Sequence, residues 1–211
     1  QQIDRITRGF SIPVVYNRVP QARLHSLTAK AYATTDIGSV YLSGTDTGEP
    51  ATDTALYLQG LPIGGHGRHF DCDHGRVDVI HLDPRRFMAR MPDRTELIDA
   101  EEQSKLIDAA VRQQWQSILK DRKLRLPPAE FVGRYYSVAR RQNLLEVFDD
   151  VPVVPHQACS LVIDYPTTAD EQDAYLQSPA RHPTREEVES GSLRLAAFSP
   201  YERDESHATL M

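Results

Sequence analysis

The spacing of apolar residues changes near residue 90, and this change constrains the fold more than any other feature of the 211-residue chain. Residues 76–82 alternate between apolar and polar, which is typical of a strand with one covered face. Residues 38–44 and 53–60 are also strand-like, and the polar turn cluster between them predicts a β-hairpin. Residues 9–17 contain Pro13, which favours an edge or bulged strand. The first 90 residues therefore predict an antiparallel sheet.

The stretch after the predicted sheet has the apolar spacing of a helix. Apolar residues recur at helical intervals from Asp93 to about Asp121, in a stripe that includes Trp115 and is widened by Leu106, and Asp93 with Glu96 resembles a helix cap. Pro128 suits the first turn of a second helix, on which three residues share one side: Phe131, Tyr135 and Val138. We therefore expect a helical hairpin packed on one face of the sheet.

The last third of the chain predicts a smaller set of elements. Residues 158–165 read as a buried strand, and residues 193–197 alternate as a last strand. Between them, Thr184 and Glu187 form a capping-box pattern for a short helix that ends at Gly191. This is a strand–helix–strand portion.

Together these patterns predict an α+β fold. It consists of an antiparallel sheet with a helical hairpin on one face and a small C-terminal strand–helix–strand portion. The expected domains are 1–126, the sheet plus the long helix, and 127–211, the second helix plus the C-terminal portion.

The net charge of −6 hides an uneven distribution. Residues 1–84 carry 7 basic and 9 acidic side chains, residues 85–141 carry 13 and 8, and residues 142–211 carry 4 and 13. The overall charge disfavours nucleic acid as a partner, because phosphate binding needs clustered cations. The basic centre nevertheless leaves a local anionic partner open.

Composition excludes several other classes. No apolar run approaches the length that spans a bilayer. The only two cysteines, Cys72 and Cys159, cannot form a secreted disulfide framework. We expect a cytoplasmic protein of a bacterial or phage-infected cell. Because the chain begins at Gln1, we also expect it to be a piece of a longer polypeptide.

The glycine-rich segment 64–75 concentrates chemically competent side chains. Its imidazoles and thiol are suitable ligands for tetrahedral zinc, and they belong to His66, His69, Cys72 and His74. Their spacing matches no standard zinc finger. The alternatives are a hairpin loop whose polar groups meet water and, since Arg68 lies among the glycines, a weak phosphate-binding loop. Zinc is therefore the one cofactor that the residues themselves indicate.

The segment that links the predicted sheet to the long helix is rich in arginine. Its four guanidinium groups could converge on a phosphate or a carboxylate, and they belong to Arg85, Arg86, Arg90 and Arg94. The alternative is that they pair internally with three nearby acids: Asp83, Asp93 and Glu96. The first interpretation predicts an anion site, and the second predicts a structural role.

Catalytic signatures are weak. His156 and Cys159 lie three residues apart, which could indicate a nucleophile pair, but Cys159 enters an apolar run and is better explained as a buried structural thiol. The chain contains no Gly-x-Ser-x-Gly, His-Glu-x-x-His, Walker or Rossmann pattern. Catalytic residues are therefore unknown.

Four phrases resemble the region that follows the nucleotide-binding domain in GHKL-type ATPases. They are Gly-Phe-Ser-Ile-Pro-Val-Val-Tyr-Asn (9–17), Val-Tyr-Leu-Ser-Gly (40–44), Leu-Tyr-Leu-Gln-Gly-Leu-Pro-Ile (56–63) and Val-Ile-His-Leu-Asp-Pro-Arg-Arg-Phe (79–87), followed by a long helix. The superfamily includes type II topoisomerases, heat-shock chaperones and mismatch-repair ATPases, and some phage-borne ATP-binding proteins look similar. The resemblance covers roughly residues 8–120.

The resemblance implies a transducer-like domain that couples nucleotide state to other parts of a larger protein. ATP would then enter only through an upstream domain, because Asp-x-Gly-x-Gly and the helix with the acidic base are absent here. Transducers of this type supply a lysine to the γ-phosphate, and no lysine of this chain can be matched to that role.

Three hypotheses follow for function. The first is a non-catalytic coupling or interaction domain of an ATP-dependent protein, which contacts other domains of the same polypeptide or an acidic partner. The second is a zinc-binding module or metal-dependent enzyme that uses the 64–75 loop. The third is a structural or virion-type interaction protein. The sequence leaves the oligomeric state open.

Overall fold

The computed structural model describes residues 7, 10, 12–21, 33–63, 76–92, 95–158, 161–162, 176–177, 181–196 and 209–210. The chain divides into two compact units, residues 1–118 and 119–211, and the division falls within the longest helix. The described residues form both helices and sheets, so the predicted α+β class is confirmed. None of the described helices combines the length and apolar character needed to cross a membrane.

A short hairpin opens the described part of the first unit. Its strands are β1 (Val15–Tyr16) and β2 (Val19–Pro20), which pair antiparallel. The two turn residues, Asn17 and Arg18, have φ values of 50° and 65°, as a type I′ turn requires. The strand expected over residues 9–17 is thus confirmed only for its last apolar pair.

A five-stranded sheet dominates the first unit, in the order β3-β4-β7-β5-β6. Its strands are β3 (Ala33–Thr35), β4 (Gly38–Tyr41), β5 (Asp53–Leu58), β6 (Leu61–Pro62) and β7 (Val77–Leu82). β7 pairs antiparallel with β4 but parallel with β5. The prediction of an antiparallel sheet is therefore wrong for the β5–β7 pair. The connection over residues 59–76 is long enough for the crossover that a parallel pair needs.

The predicted hairpin between β4 and β5 is also wrong, because β7 lies between them. Hydrogen bonds hold both ends of the segment between β4 and β5. One end is bonded to Asp78 of β7, and the other is bonded to Arg76, the residue before β7. The Asp78 carboxylate accepts bonds from the Ser43 backbone N–H (2.7 Å) and hydroxyl (3.1 Å). At the other end, the Thr52 N–H donates to the Arg76 carbonyl at 2.8 Å. The segment thus spans two strand spacings instead of closing a tight turn.

The sheet is covered on both faces near its centre. Consecutive residues are buried in β5 from Ala55 to Leu58 and in β7 from Val77 to Ile80. Because neighbouring side chains in a strand point to opposite faces, burial of consecutive residues requires cover on both sides. Ala55, Tyr57, Val77 and Val79 form one core cluster, against which Phe10 and Tyr41 pack.

Two consecutive helices follow, α1 (Ala100–Arg125) and α2 (Pro128–Arg141). α1 begins seven residues later than the predicted Asp93, and Leu106, expected within its apolar stripe, is exposed. α2 agrees with the prediction, since Pro128 occupies its first turn and the three residues expected on one side are all buried: Phe131, Tyr135 and Val138. The packing of this helical pair on the sheet stays a prediction.

The second unit contains α2, two 3₁₀ helices (Leu145–Phe148 and His156–Ala158) and α3 (Arg185–Glu189). It also contains a four-stranded sheet in the order β10-β11-β8-β9, formed by Leu161–Val162 (β8), Leu176–Gln177 (β9), Leu195–Ala196 (β10) and Thr209–Leu210 (β11). The predicted capping box is confirmed at α3, where Thr184 and Glu187 exchange hydrogen bonds. β8 lies within the predicted first strand and β10 within the predicted last strand, with α3 between them, but β9 and β11 were not predicted.

Candidate functional site

The segment 83–98, called the connector below, joins β7 to the turn before α1, and the statements about it concern residues 83–92 and 95–98, which the structure describes. It begins with a tight turn around Asp83, whose carbonyl accepts from the N–H groups of Arg86 (3.0 Å) and Phe87 (3.1 Å). The Asp83 carboxylate accepts from the Arg85 N–H at 2.9 Å. The Phe87 ring is buried and anchors this end. The turn is thus held by hydrogen bonds and by one apolar anchor.

The rest of the connector folds back on itself instead of entering a helix. Ala89 and Leu97 form an isolated antiparallel bridge. On either side of it, the Arg90 N–H donates to the Glu96 carbonyl and the Ile98 N–H donates to the Met88 carbonyl, both at 2.8 Å. Because Leu97 is buried, the far end is anchored as well. Asp93 lies outside the described residues, and the predicted cap is wrong for Glu96, which belongs to this bridge region and not to a helix.

The arginines of the connector differ in what they contact. Arg86 is held by Asp36, donating to its carbonyl at 2.6 Å and to its carboxylate at 3.0 Å. Arg90 lies 3.5 Å from the Glu96 carboxylate, and both side chains are more than half exposed. The Arg85 guanidinium has no carboxylate partner among the described residues. Arg94 lies outside those residues. One of the predicted internal pairs, Arg90 with Glu96, is thus confirmed.

Three large apolar side chains of the connector face solvent, and sequence reasoning missed them. Met88 is 64% exposed, Met91 69% and Ile98 41%. The available signal was the composition of the segment. Two of the chain's three methionines lie among its arginines, outside any apolar stripe. The connector therefore combines a fixed backbone with an exposed apolar surface flanked by cations.

The predicted zinc ligands cannot be placed. His66, His69, Cys72 and His74 all lie outside the described residues. Among the residues that the structure does describe, no group of three or more His, Cys, Asp or Glu side chains is arranged to hold a metal ion. Zinc binding by the 64–75 loop stays a prediction.

The second unit contains an open groove of about 440 Å³. Its lining is mostly apolar and comprises Tyr136, Leu145, Phe148, Val153, Val154, Pro155 and Val188, together with Asp149, Arg185 and Glu189. Arg185 is fixed in the wall, because its guanidinium donates to the carbonyls of Val151 (2.6 Å) and Phe148 (3.1 Å). The volume falls within the usual range of ligand pockets.

Two carboxylates give the groove its charge. Asp149 and Glu189 line it, both residues are exposed, and neither carboxylate pairs with a cation within the described part of the chain. Arg185 is the one basic residue of the lining. The groove therefore combines a mostly apolar lining with two exposed carboxylates and one cation.

A histidine pair also lies in the second unit. The His156 N–H donates to Nδ1 of His182 at 3.0 Å, and the two Nδ1 atoms are 3.1 Å apart. Burial lowers the pKa of His182, and the neighbouring His156 lowers it further, against a smaller opposing effect of the Val154 carbonyl. Cys159, which the sequence favours as a buried structural thiol over a nucleophile paired with His156, lies outside the described residues. The histidine pair joins two segments of the unit.

Comparisons with protein-family models, with curated proteins and with solved structures found no match to this chain. The resemblance to GHKL-type transducer regions accordingly stays a prediction. The candidate sites rest on geometry alone: the connector in the first unit and the groove in the second.

Proposed function

We propose that this chain is a non-catalytic interaction domain that binds an acidic partner through the connector. The observation that carries the proposal is the exposure of Met88, Met91 and Ile98 in the same short segment as the exposed Arg85 and Arg90. Clustered exposed apolar side chains that are rimmed by polar groups are typical of protein-binding surfaces. Methionine suits such a surface because its unbranched, polarizable side chain adapts to different partners.

The fixed backbone supports binding as well. Phe87 and Leu97 anchor the two ends of the connector, and the bridge between Ala89 and Leu97 closes it. A loop that is already held in one conformation loses little conformational freedom when a partner binds. The binding energy of the exposed side chains is therefore largely available for affinity.

Charge favours an acidic partner. Arg85 has no carboxylate partner among the described residues, and an exposed pair such as Arg90 with Glu96 contributes only about 0–1 kcal/mol to stability. Both guanidinium groups can thus turn to carboxylates of a partner at small cost. Arg86 is different, because Asp36 holds it from two atoms.

The finer form of this hypothesis is that the domain couples to an ATP-dependent protein of the GHKL type. It rests on the four phrases given above and on the element order. The gene sequence upstream of the Gln1 codon tests it, since a GHKL nucleotide-binding domain encoded there supports the coupling role. A start codon immediately before Gln1 would contradict it.

The interaction itself is tested by binding of a labelled peptide of alternating leucine and glutamate to the full chain. A peptide with glutamine at every glutamate position is the matched probe. We expect the acidic peptide to bind at least tenfold more tightly than the glutamine peptide. Met88→Ser combined with Met91→Ser should weaken binding of the acidic peptide at least tenfold, because the apolar contacts are lost.

Leu124→Ser is the matched control variant, because Leu124 is an exposed apolar residue outside the connector. It should leave the affinity unchanged. Equal affinities of the wild-type chain and the double methionine variant would overturn the proposal. Melting temperatures of all three proteins show whether each variant is folded.

A further inference from the structure

The groove of the second unit complements the connector in chemical character. The connector exposes apolar side chains in a segment that also carries cations, whereas the groove has a mostly apolar lining with two exposed carboxylates and one cation, Arg185. From this complementarity we infer that the acidic partner is a second copy of this chain, whose groove receives the connector. The inference rests on the proposed function and names its partner.

The apolar side chains of the connector can pack against the apolar lining of the groove. Met88 and Met91 present flexible, unbranched side chains, and Leu145, in the lining of the groove, is itself 41% exposed. Burying exposed apolar surface on both sides supplies the main driving force for association. The half-buried ring of Tyr136 also lines the groove, with its centroid 6.1 Å from that of the buried Phe148 ring. Methionine sulfur makes favourable contacts with such rings.

Charged side chains of the two surfaces can also pair with each other. Arg85 and Arg90 carry cations to the edge of the apolar contact, where Asp149 and Glu189 carry carboxylates with no cation partner in the described residues. Opposite charges at the rim of an interface set its orientation and raise the association rate. They also make association weaken as ionic strength rises.

The two surfaces differ, so each copy can bind one neighbour through its connector and another through its groove. Contacts of this heterologous kind produce closed rings or open chains instead of a symmetric dimer. A loop tip in a groove buries less surface than a standard interface, so the association should be weak and concentration-dependent.

Sedimentation velocity of the full chain over a range of concentrations tests the inference. We expect the wild-type chain to form species larger than a dimer as concentration rises, and to return to monomer when the acidic peptide is added. Two variants should each remain monomeric: the connector variant, Met88→Ser with Met91→Ser, and the groove variant, Asp149→Lys with Glu189→Lys. The groove variant reverses only exposed charges, so it should retain the wild-type melting temperature.

Mixing the two variants gives the decisive result. The groove variant still has an intact connector, and the connector variant still has an intact groove. The mixture should therefore form a one-to-one complex and nothing larger. A mixture that stays monomeric, or a wild-type chain that stays monomeric at every concentration, overturns the inference.

The outcomes separate this inference from the proposed function. A monomeric wild-type chain that still binds the acidic peptide through its methionines contradicts self-association alone. A chain that binds neither the peptide nor its own copies contradicts both. Self-association that the groove variant retains and the connector variant loses supports the connector as a binding surface but overturns the inference that the groove receives it.

Discussion

Asp78 illustrates how one side chain fixes the path of the chain. It lies in the central strand β7 and is buried, which an isolated carboxylate would not tolerate. The hydrogen bonds from Ser43 satisfy it and hold the start of the segment between β4 and β5. Burial raises the pKa of the nearby Tyr41, and the charges of Asp78 and Asp46 raise it further. The carboxylate thus has a structural role.

Gly38 tests the pairing of β4 with β7. It has φ +127°, and a Cβ added there would lie 2.1 Å from the His81 carbonyl oxygen of β7. We expect Gly38→Ala to destabilise the chain by more than about 2 kcal/mol, since backbone strain alone costs about 1–3 kcal/mol. Denaturant unfolding measures this change.

Gly60→Ala is the matched control. Gly60 also has a positive φ, +76°, but a Cβ added there would meet no atom within 4 Å. Its substitution should cost only the conformational strain, about 1–2 kcal/mol. Equal costs at the two glycines would contradict the close approach of β4 to β7.

The capping box of α3 makes stability depend on pH. A hydrogen bond from Arg181, with one from the Thr184 N–H, lowers the pKa of Glu187 from 4.5 to about 2. A carboxyl group whose pKa is lower in the folded state stabilises fully above its unfolded pKa, and the stabilisation disappears as pH falls through the folded pKa. We expect wild type to exceed Glu187→Gln in free energy of unfolding above pH 4.5, with the difference shrinking towards pH 2.

Glu186→Gln serves as the control, because Glu186 lies on the same helix and outside the capping box. Denaturant unfolding at several pH values compares the three proteins. If the wild type and Glu187→Gln differ by the same amount at pH 6 and at pH 2.5, the account of the capping box is contradicted.

Elements defined by local signals could be predicted from the sequence, and elements defined by distant partners could not. The strand pattern of β7, the proline at the start of α2 and the Thr184–Glu187 pattern are all local, and all three elements are present, although β7 is covered on both faces and not on one as its alternation predicted. The pairing of β4 with β7 is not local, because its partners are separated by about 40 residues. A turn-rich segment between two strands therefore indicated a hairpin that the sheet does not contain.

The connector shows the same limit for a candidate site. Its arginines were apparent from the sequence, but the bridge between Ala89 and Leu97 was not, because helical spacing of apolar residues extends across it. Because Ala89 and Leu97 form this bridge, α1 begins only at Ala100. Met88 and Met91 lie outside the helix and are exposed. The groove was not apparent either, since its lining comes from four separate segments between residues 136 and 189.

At the scale of the whole molecule, the alternative of a zinc-dependent protein has a simple test. The interaction-domain account expects less than stoichiometric zinc in elemental analysis of the purified chain, and an unchanged melting temperature for His66→Ala combined with Cys72→Ala. One zinc ion per chain whose removal by a chelator unfolds the protein would favour the zinc module, because metal binding and folding are coupled in such domains.

The uneven charge distribution of the sequence corresponds to the two candidate surfaces. The basic centre of the sequence contains the arginines of the connector, and the acidic last third contains Asp149 and Glu189, the two carboxylates of the groove. Since the two surfaces carry opposite charge, raising the salt concentration should weaken every association proposed above.

The central claim, that the connector is the binding surface, is tested most directly by methyl NMR of methionine-labelled protein. The chain has three methionines, so the spectrum contains three methyl signals, from Met88, Met91 and Met211. On titration with the acidic peptide, we expect the Met88 and Met91 signals to shift in a saturable manner, with the glutamine peptide as the control. Saturable binding that leaves both of these signals unmoved would contradict the account.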